Sequence, residues 1–355
     1  MQGALTIVNR RNFLVITSLS GLLGIVTIFS LTVGAVSIPF SDAFIIILQQ
    51  FGLLTNVAID ETFQVVMSSI RLPRIFMTLA IGASLGISGA SLQGLFRNPL
   101  VEPSLIGVSG GSAAAVVAII VFGAGIESLL PGWIFNSLIT LAAFAGGAFA
   151  TFFVLRLSMS SGRTNIAVLV LIGVAVNALT GALIGLAIFY ADENQLSTFT
   201  FWTLGDLGGA TWEKLSLAAP ILFIATTCLL VFGRALNALS LGESEAYHMG
   251  VNVEQIKRLM ILLSALAVGV SVSLAGIIGF IGLVVPHVIR TVFHSDNRLV
   301  LPASALGGAL LLLLADIIAR TVVSPAELPI GVVTALIGAP FFITLLLKAK
   351  RKQEL

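Results

Sequence analysis

Apolar runs of about 20 residues follow one another along this chain, separated by short polar connections, and that recurrence leaves few folds open. In hydrocarbon each backbone N–H and C=O must be satisfied within the protein, so spanning segments of this length are helices. The windows fall near 13–38, 74–95, 104–124, 133–156, 165–189, 215–236, 257–276, 277–293, 299–320 and 329–348. The expected fold is therefore all-α, a polytopic membrane protein of about ten transmembrane helices in one domain over 1–355. Composition agrees: with 57% hydrophobic and 10% charged residues, the chain cannot cover a water-soluble surface.

The basic pair Arg10 and Arg11 ahead of an apolar stretch raises a signal-peptide reading, but the stretch is too long for a signal core and suits an uncleaved span. The segment 277–293, IIGFIGLVVPHVIRTVF, is short, contains Pro286 and could instead be re-entrant. Parity favours a crossing, because the basic tail KAKRKQ then lies on the same side as Arg10 and Arg11. Both termini are expected in the cytoplasm, with 14 of the 18 Lys and Arg residues on that side.

The exceptions are Arg71, Arg74, Lys214 and Arg320. Two of them form RLPR, where Pro73 fixes one backbone angle and restrains Leu72, holding both guanidinium groups near the outer mouth. They could snorkel to lipid phosphates or serve a partner.

LAIGASLGISG at 79–89 aligns without a gap on LAVGVSVSLAG at 266–276. On this topology the copies run in opposite senses, which gives an inverted internal repeat; two small-residue-rich helices could also match by chance. Gly82 with Gly86, and Gly181 with Gly185, offer faces for close helix approach. The longest polar loop on the inner side, 237–256, contains SEAYHMG, which reads as a short helix with Glu243 and Glu245 at its start and Gly250 after its end. Such a loop is either a docking surface or an ordinary connection.

No GxxxxGK[ST], HExxH or cysteine pair occurs, so no nucleotide site, metal, cofactor or catalytic residue is expected. The low net charge of +2 on scattered basic residues gives no nucleic-acid site. His248, His287 and His294 are spread over a loop and an uncertain helix; one of them could be a haem or metal ligand, but structural imidazoles are the simpler reading. Asp316 is the one candidate for a proton-coupled carrier, but it stands four residues before Arg320, where an ion pair is the simpler account.

Several blocks resemble the membrane permeases of type II ATP-binding-cassette importers for ferric siderophores, haem and vitamin B12: RLPR, SGASLQGLFRNPLVEPSLIGVSGG at 88–111, FWTLGDLGGATW at 201–212, LGESEAYHMGV at 241–251, AGIIGFIGLVVPHVIR at 275–290, and LLADIIART with AELPIGVVTALIGAPFF at 313–342. The similarity runs from Arg71 onward. It implies a homodimer in the bacterial inner membrane, with two ATPase subunits below, a periplasmic binding protein above, and an iron-chelate, haem or corrinoid cargo. By the same resemblance, Arg71, Arg74 and Arg320 dock carboxylates of the binding protein. Asn98 and Leu100 form one cytoplasmic gate, and Asn165, between Thr164 and Ala167, belongs to a second. Glu243, Glu245, Ala246 and Gly250 belong to the ATPase coupling loop, which here carries Tyr247 and His248. In that reading Asn177, Thr180 and Gly181 are candidates to line the pathway.

Overall fold

The computed structural model describes residues 2–54, 56–123, 131–160 and 162–353. In chain order its helices are α1 (Gln2–Thr32), α2 (Phe40–Gln50), α3 (Glu61–Val65), α4 (Leu72–Phe96), α5 (Val108–Phe122), α6 (Gly132–Leu157), α7 (Ile166–Tyr190) and α8 (Glu193–Leu204). There follow α9 (Trp212–Val231), α10 (Gly233–Leu241), α11 (Glu243–His248), α12 (Val253–Ala275), α13 (Ile281–Val292), α14 (Asn297–Ala319) and α15 (Ile330–Gln353). The all-α reading holds apart from one tiny hairpin, β1 (Met159–Ser160) with β2 (Arg163–Thr164).

Among the described residues seven helices are long and apolar enough to cross a bilayer: Arg10–Thr32, Glu61–Phe96, Ser137–Leu157, Ile166–Tyr190, Trp212–Val231, Val253–Ala275 and Asn297–Ala319. The three other expected spans are shorter apolar helices, Val108–Phe122, Ile281–Val292 and Ile330–Thr344. Residue 124, the last of the expected 104–124 window, lies outside the described residues.

Helix α4 is the central element. It runs antiparallel to α14: Arg74 meets Asp316 at one end, and Gly94 lies beside Asn297 at the other. Small residues allow the approach. A Cβ on Gly82 would stand 2.5 Å from the Gly308 carbonyl oxygen, one on Gly86 2.1 Å from that of Ser304, and one on Gly89 1.9 Å from that of Gly282. The expected Gly82/Gly86 face is thus a helix contact, whereas Gly181 and Gly185 have nothing within 4 Å. The two copies of the internal repeat lie in α4 and α12, which run in opposite senses.

Three elements depart from the sequence expectation. Helix α1 stops at Thr32 rather than 38, and residues 33–39 are not helical. Helix α4 is preceded by a π-helical stretch, Val66–Arg71, that joins it to α3. Helix α13 has only 12 residues, about 18 Å at 1.5 Å per residue, less than a hydrocarbon core of about 30 Å.

Residues 276–280 precede it, and their non-helical backbone needs partners in an apolar interior. The Ala275 carbonyl accepts from Asp206 N–H at 2.9 Å, and the Phe280 N–H donates to Glu102 Oε1 at 3.0 Å. Gln93 Nε2 donates to the carbonyls of Gly282 and Leu283, both at 3.2 Å. Positive φ at Gly276 (70°) and Phe280 (68°) marks the two ends of this stretch, which leads into the 12-residue helix.

Gly89→Leu is expected to disrupt the α4–α13 contact and cost about 1–3 kcal/mol or more, because overpacking cannot relax against a backbone carbonyl. Gly181→Leu should leave the isolated chain as stable as the parent. Thermal denaturation in detergent checks both, and equal loss at the two sites would contradict this packing.

Candidate functional site

Two polar assemblies lie at opposite ends of the bundle. At the first, Arg71, Arg74 and Arg320 converge, and they are buried: their relative exposures are 4%, 6% and 5%. Arg74 donates from Nε to Asp316 Oδ1 at 2.8 Å, and from Nη1 to Glu327 Oε2 at 2.8 Å and Oε1 at 3.0 Å. Asp316 is fully buried and also faces Arg320 Nε, 3.4 Å from its Oδ2. The local Asp316–Arg320 pair is therefore present, but the tighter partner of Asp316 is Arg74, on another helix.

The other two guanidinium groups bind the end of α1. Arg320 donates to the Val33 carbonyl at 2.7 Å, the Ser30 carbonyl at 2.8 Å and Ser30 Oγ at 2.5 Å. Arg71 donates to the carbonyls of Leu31 and Val36. The last carbonyls of a helix lack intrahelical partners and carry partial negative charge, so arginine is a fitting cap. All three guanidinium groups are thus engaged by partners within the chain. The span expected at 13–38 hid the early end of α1 that turns Arg71 and Arg320 inward.

At the opposite end, helix α4 finishes at Arg97, whose φ of 50° closes the helix, and Asn98 Oδ1 accepts from Leu100 N–H at 3.0 Å to make a tight turn. Leu100 is exposed and borders a recess shared with Pro99, Leu283, Val284, His287, Phe341 and Phe342. Asn165 caps α7, its Oδ1 accepting from the N–H groups of Ala167 at 3.0 Å and Val168 at 3.2 Å. It lines a different opening, a cleft of about 840 Å³ between the β1–β2 hairpin, α11 and the start of α12.

The segment at 243–250 forms the short helix expected. Ala246 is fully buried, and Val251 N–H returns to the Ala246 carbonyl at 3.0 Å while Gly250, at φ 82°, ends the turn. Glu243 Oε2 accepts from Lys257 Nζ at 2.7 Å. Glu245 folds back over Gly242, where any Cβ would lie 1.8 Å from its Oε2. Tyr247 and Met249 are exposed beside Leu241, so the helix shows an apolar tip with acidic flanks.

Asn177 is half-buried and Thr180 buried, and both turn towards α5. Asn177 Nδ2 donates to the Ser104 carbonyl at 3.1 Å, and both residues abut Gly110 of α5. Gly181 is on the open face.

Four residues that the sequence reading assigned no role are part of these assemblies: Glu327, Glu102, Glu254 and Lys257. Each is one charge in a loop or at a helix end, and its partner lies far along the chain. Asp296 fastens α10 to α14 in the same way. Burial raises its pKa, but hydrogen bonds from Arg298 and Asn237 outweigh this and hold it at about 2. Among the described residues no group of three or more His, Cys, Asp or Glu side chains could hold a metal ion.

Asp316→Asn should destabilise the chain by about 3–5 kcal/mol, since it leaves Arg74 and Arg320 buried with too little negative charge. Chemical denaturation of the detergent-solubilised protein measures this, and a loss below 1 kcal/mol would contradict the pairing.

The FecCD transport family matches residues 22–348. The chain is 41% identical to the hemin transport system permease protein HmuU of Yersinia pestis, over 94% of this chain and 95% of that one. It is 43% identical to the vitamin B12 import system permease protein BtuC of Klebsiella pneumoniae, over 79% of this chain and 82% of the relative. A solved structure of a metal-chelate type ABC transporter in an inward-facing conformation superposes with a TM-score of 0.80 at 35% identity, covering 94% of this chain and 98% of that one.

Proposed function

Because the chain belongs to the FecCD transport family, we propose that it is the membrane-spanning permease subunit of an ATP-binding-cassette importer. It passes an iron-chelate, haem or corrinoid cargo, received from a periplasmic binding protein, across the bacterial inner membrane. Two copies enclose the pathway, and separate ATPase subunits supply the energy. The observation that carries this reading is the pairing of near full-length similarity to import permeases with a short, glycine-bounded helix at 243–248 that shows Tyr247 and Met249 to a partner. An exposed apolar tip on an otherwise polar loop is what a docked subunit would cover.

The end of the bundle with Asn98, Asn165 and Glu243 is assigned to the cytoplasm, together with both termini, because 14 of the 18 basic residues belong there. The pathway lies on the open face of α7, where Gly181 sits, rather than along Asn177 and Thr180. Asp316 does not serve a proton carrier in this reading, being held between Arg74 and Arg320.

The three arginines divide by role. Arg71 and Arg320 hold α1, whereas Arg74 reaches the surface through Glu327, whose side chain is 41% exposed. An incoming carboxylate from the binding protein would take Glu327's place on Arg74, forming a charge-assisted pair that fixes register.

Co-expression with the candidate ATPase should give a stable complex, and proteoliposomes containing it should accumulate cargo only with internal ATP. Uptake without any ATPase would reject this reading. Glu327→Ala, which frees Arg74, is expected to tighten binding-protein docking about tenfold, or about 1.4 kcal/mol; Arg74→Ala should weaken it, as read by surface-immobilised binding at two salt concentrations.

A further inference from the structure

The first two turns of α12 direct three charged residues, Glu254, Lys257 and Arg258, at the β1–β2 hairpin. Glu254 accepts from Thr164 N–H at 2.9 Å (Oε1) and 3.0 Å (Oε2), and also from Thr164 Oγ1. Arg258 Nε donates to Glu254 Oε1 at 3.0 Å, and its Nη2 donates to the Gly162 carbonyl. Lys257 Nζ takes the other side of the same residue, donating to the Thr164 carbonyl at 3.2 Å. It also donates to Glu243 Oε2 on α11 at 2.7 Å. The Thr164 peptide groups are thus held from both sides, and one of the two holds is shared with the short helix.

We propose that Lys257 is a positioning residue that transmits displacement of α11 to the hairpin and onward to the cap of α7, an inference that rests on the permease reading above. The physical basis is the unequal exposure of the pair: the Lys257 side chain is 5% exposed, while that of Glu243 is 53% exposed. A buried ammonium left without its carboxylate is costly, so Lys257 follows Glu243 when α11 moves. The Thr164 carbonyl is drawn with it.

Helix α11 can move as a unit because it is bounded by Gly242 at φ 147° and Gly250 at φ 82°, conformations that favour glycine. At the receiving end, Thr164 is 2% exposed, and the next residue, Asn165, caps the first turn of α7. A shift at Thr164 therefore acts on α7 directly, without an intervening flexible loop. The cleft of about 840 Å³ between these elements gives the hairpin and α11 room to approach or separate.

The test uses the whole transporter, with ATPase and binding protein, in proteoliposomes, with hemin, cyanocobalamin and a ferric trihydroxamate as probes. Lys257→Met is expected to retain ATPase association and ATP hydrolysis within about twofold of the parent while transport per ATP falls at least about tenfold. Lys257→Arg, which keeps the charge and a donor, should restore at least about half of that ratio. Glu243→Gln, at an exposed position, should lower the ratio in the same direction. Because both changes break one link, the double variant should be no worse than Lys257→Met alone.

Full coupling in Lys257→Met, or multiplicative losses in the double variant, would overturn the relay while leaving the permease reading intact. If Lys257→Met fails to assemble, full coupling in Glu243→Gln overturns it equally. If the parent chain neither retains an ATPase nor shows ATP-dependent uptake of any probe, the permease reading fails, and the relay with it.

Discussion

Asp316 is a carboxylate with no exposed surface, and one end of the bundle is organised around it. A lone buried carboxylate would be neutralised or expelled; here Arg74 meets one oxygen and Arg320 faces the other. These contacts fix α4 against α14. Arg320, once held there, presents its Nη atoms to Ser30 and Val33, and Arg71 adds its bonds to Leu31 and Val36. Helix α1 is thereby terminated and tied down by charges belonging to two other helices. The ledger of charge is uneven, three guanidinium groups against two carboxylates, and the backbone carbonyls of residues 30–36 make up the difference.

The other end is built from the same chemistry but with a different mechanical result. There the carboxylates Glu243 and Glu254 remain partly exposed, and they hold short elements rather than long helices. A hairpin of two-residue strands and a six-residue helix each bury little apolar surface, so polar contacts decide where they sit. One end is locked by buried charge. The other rests on pairs with one partly exposed partner each.

Between them, Glu102 connects the loop ahead of α5 to the start of α13. Its bond to the Phe280 N–H satisfies the start of α13 in the interior and ties the 97–107 connection to that helix. Leu100, on the same connection, lies against α13 and α15. This loop is thus tied to α13 by Glu102 and also by Gln93, which donates to the Val101 carbonyl as well as to those of Gly282 and Leu283, while Thr164, next to Asn165, is joined to α11 through Lys257.

The sequence by itself determined the class of fold, because runs of apolar residues of bilayer length admit only helices once every backbone group must be satisfied. It also located the tight Gly82/Gly86 packing face, the short helix ended by Gly250, and the Asp316–Arg320 proximity, all of which depend on residues three to eight apart. What it did not determine was where the charges point. Residues 30–36 lie about 40 positions from Arg71 and almost 290 from Arg320, and no local pattern shows that α1 ends early and turns its carbonyls towards them. The partners of Lys257 and Glu254 in the hairpin are likewise about 90 residues away. Burial of a charge is a property of everything packed around it, so only the tertiary structure decided that the arginines form internal ties and that Asn177 and Thr180 face a neighbouring helix.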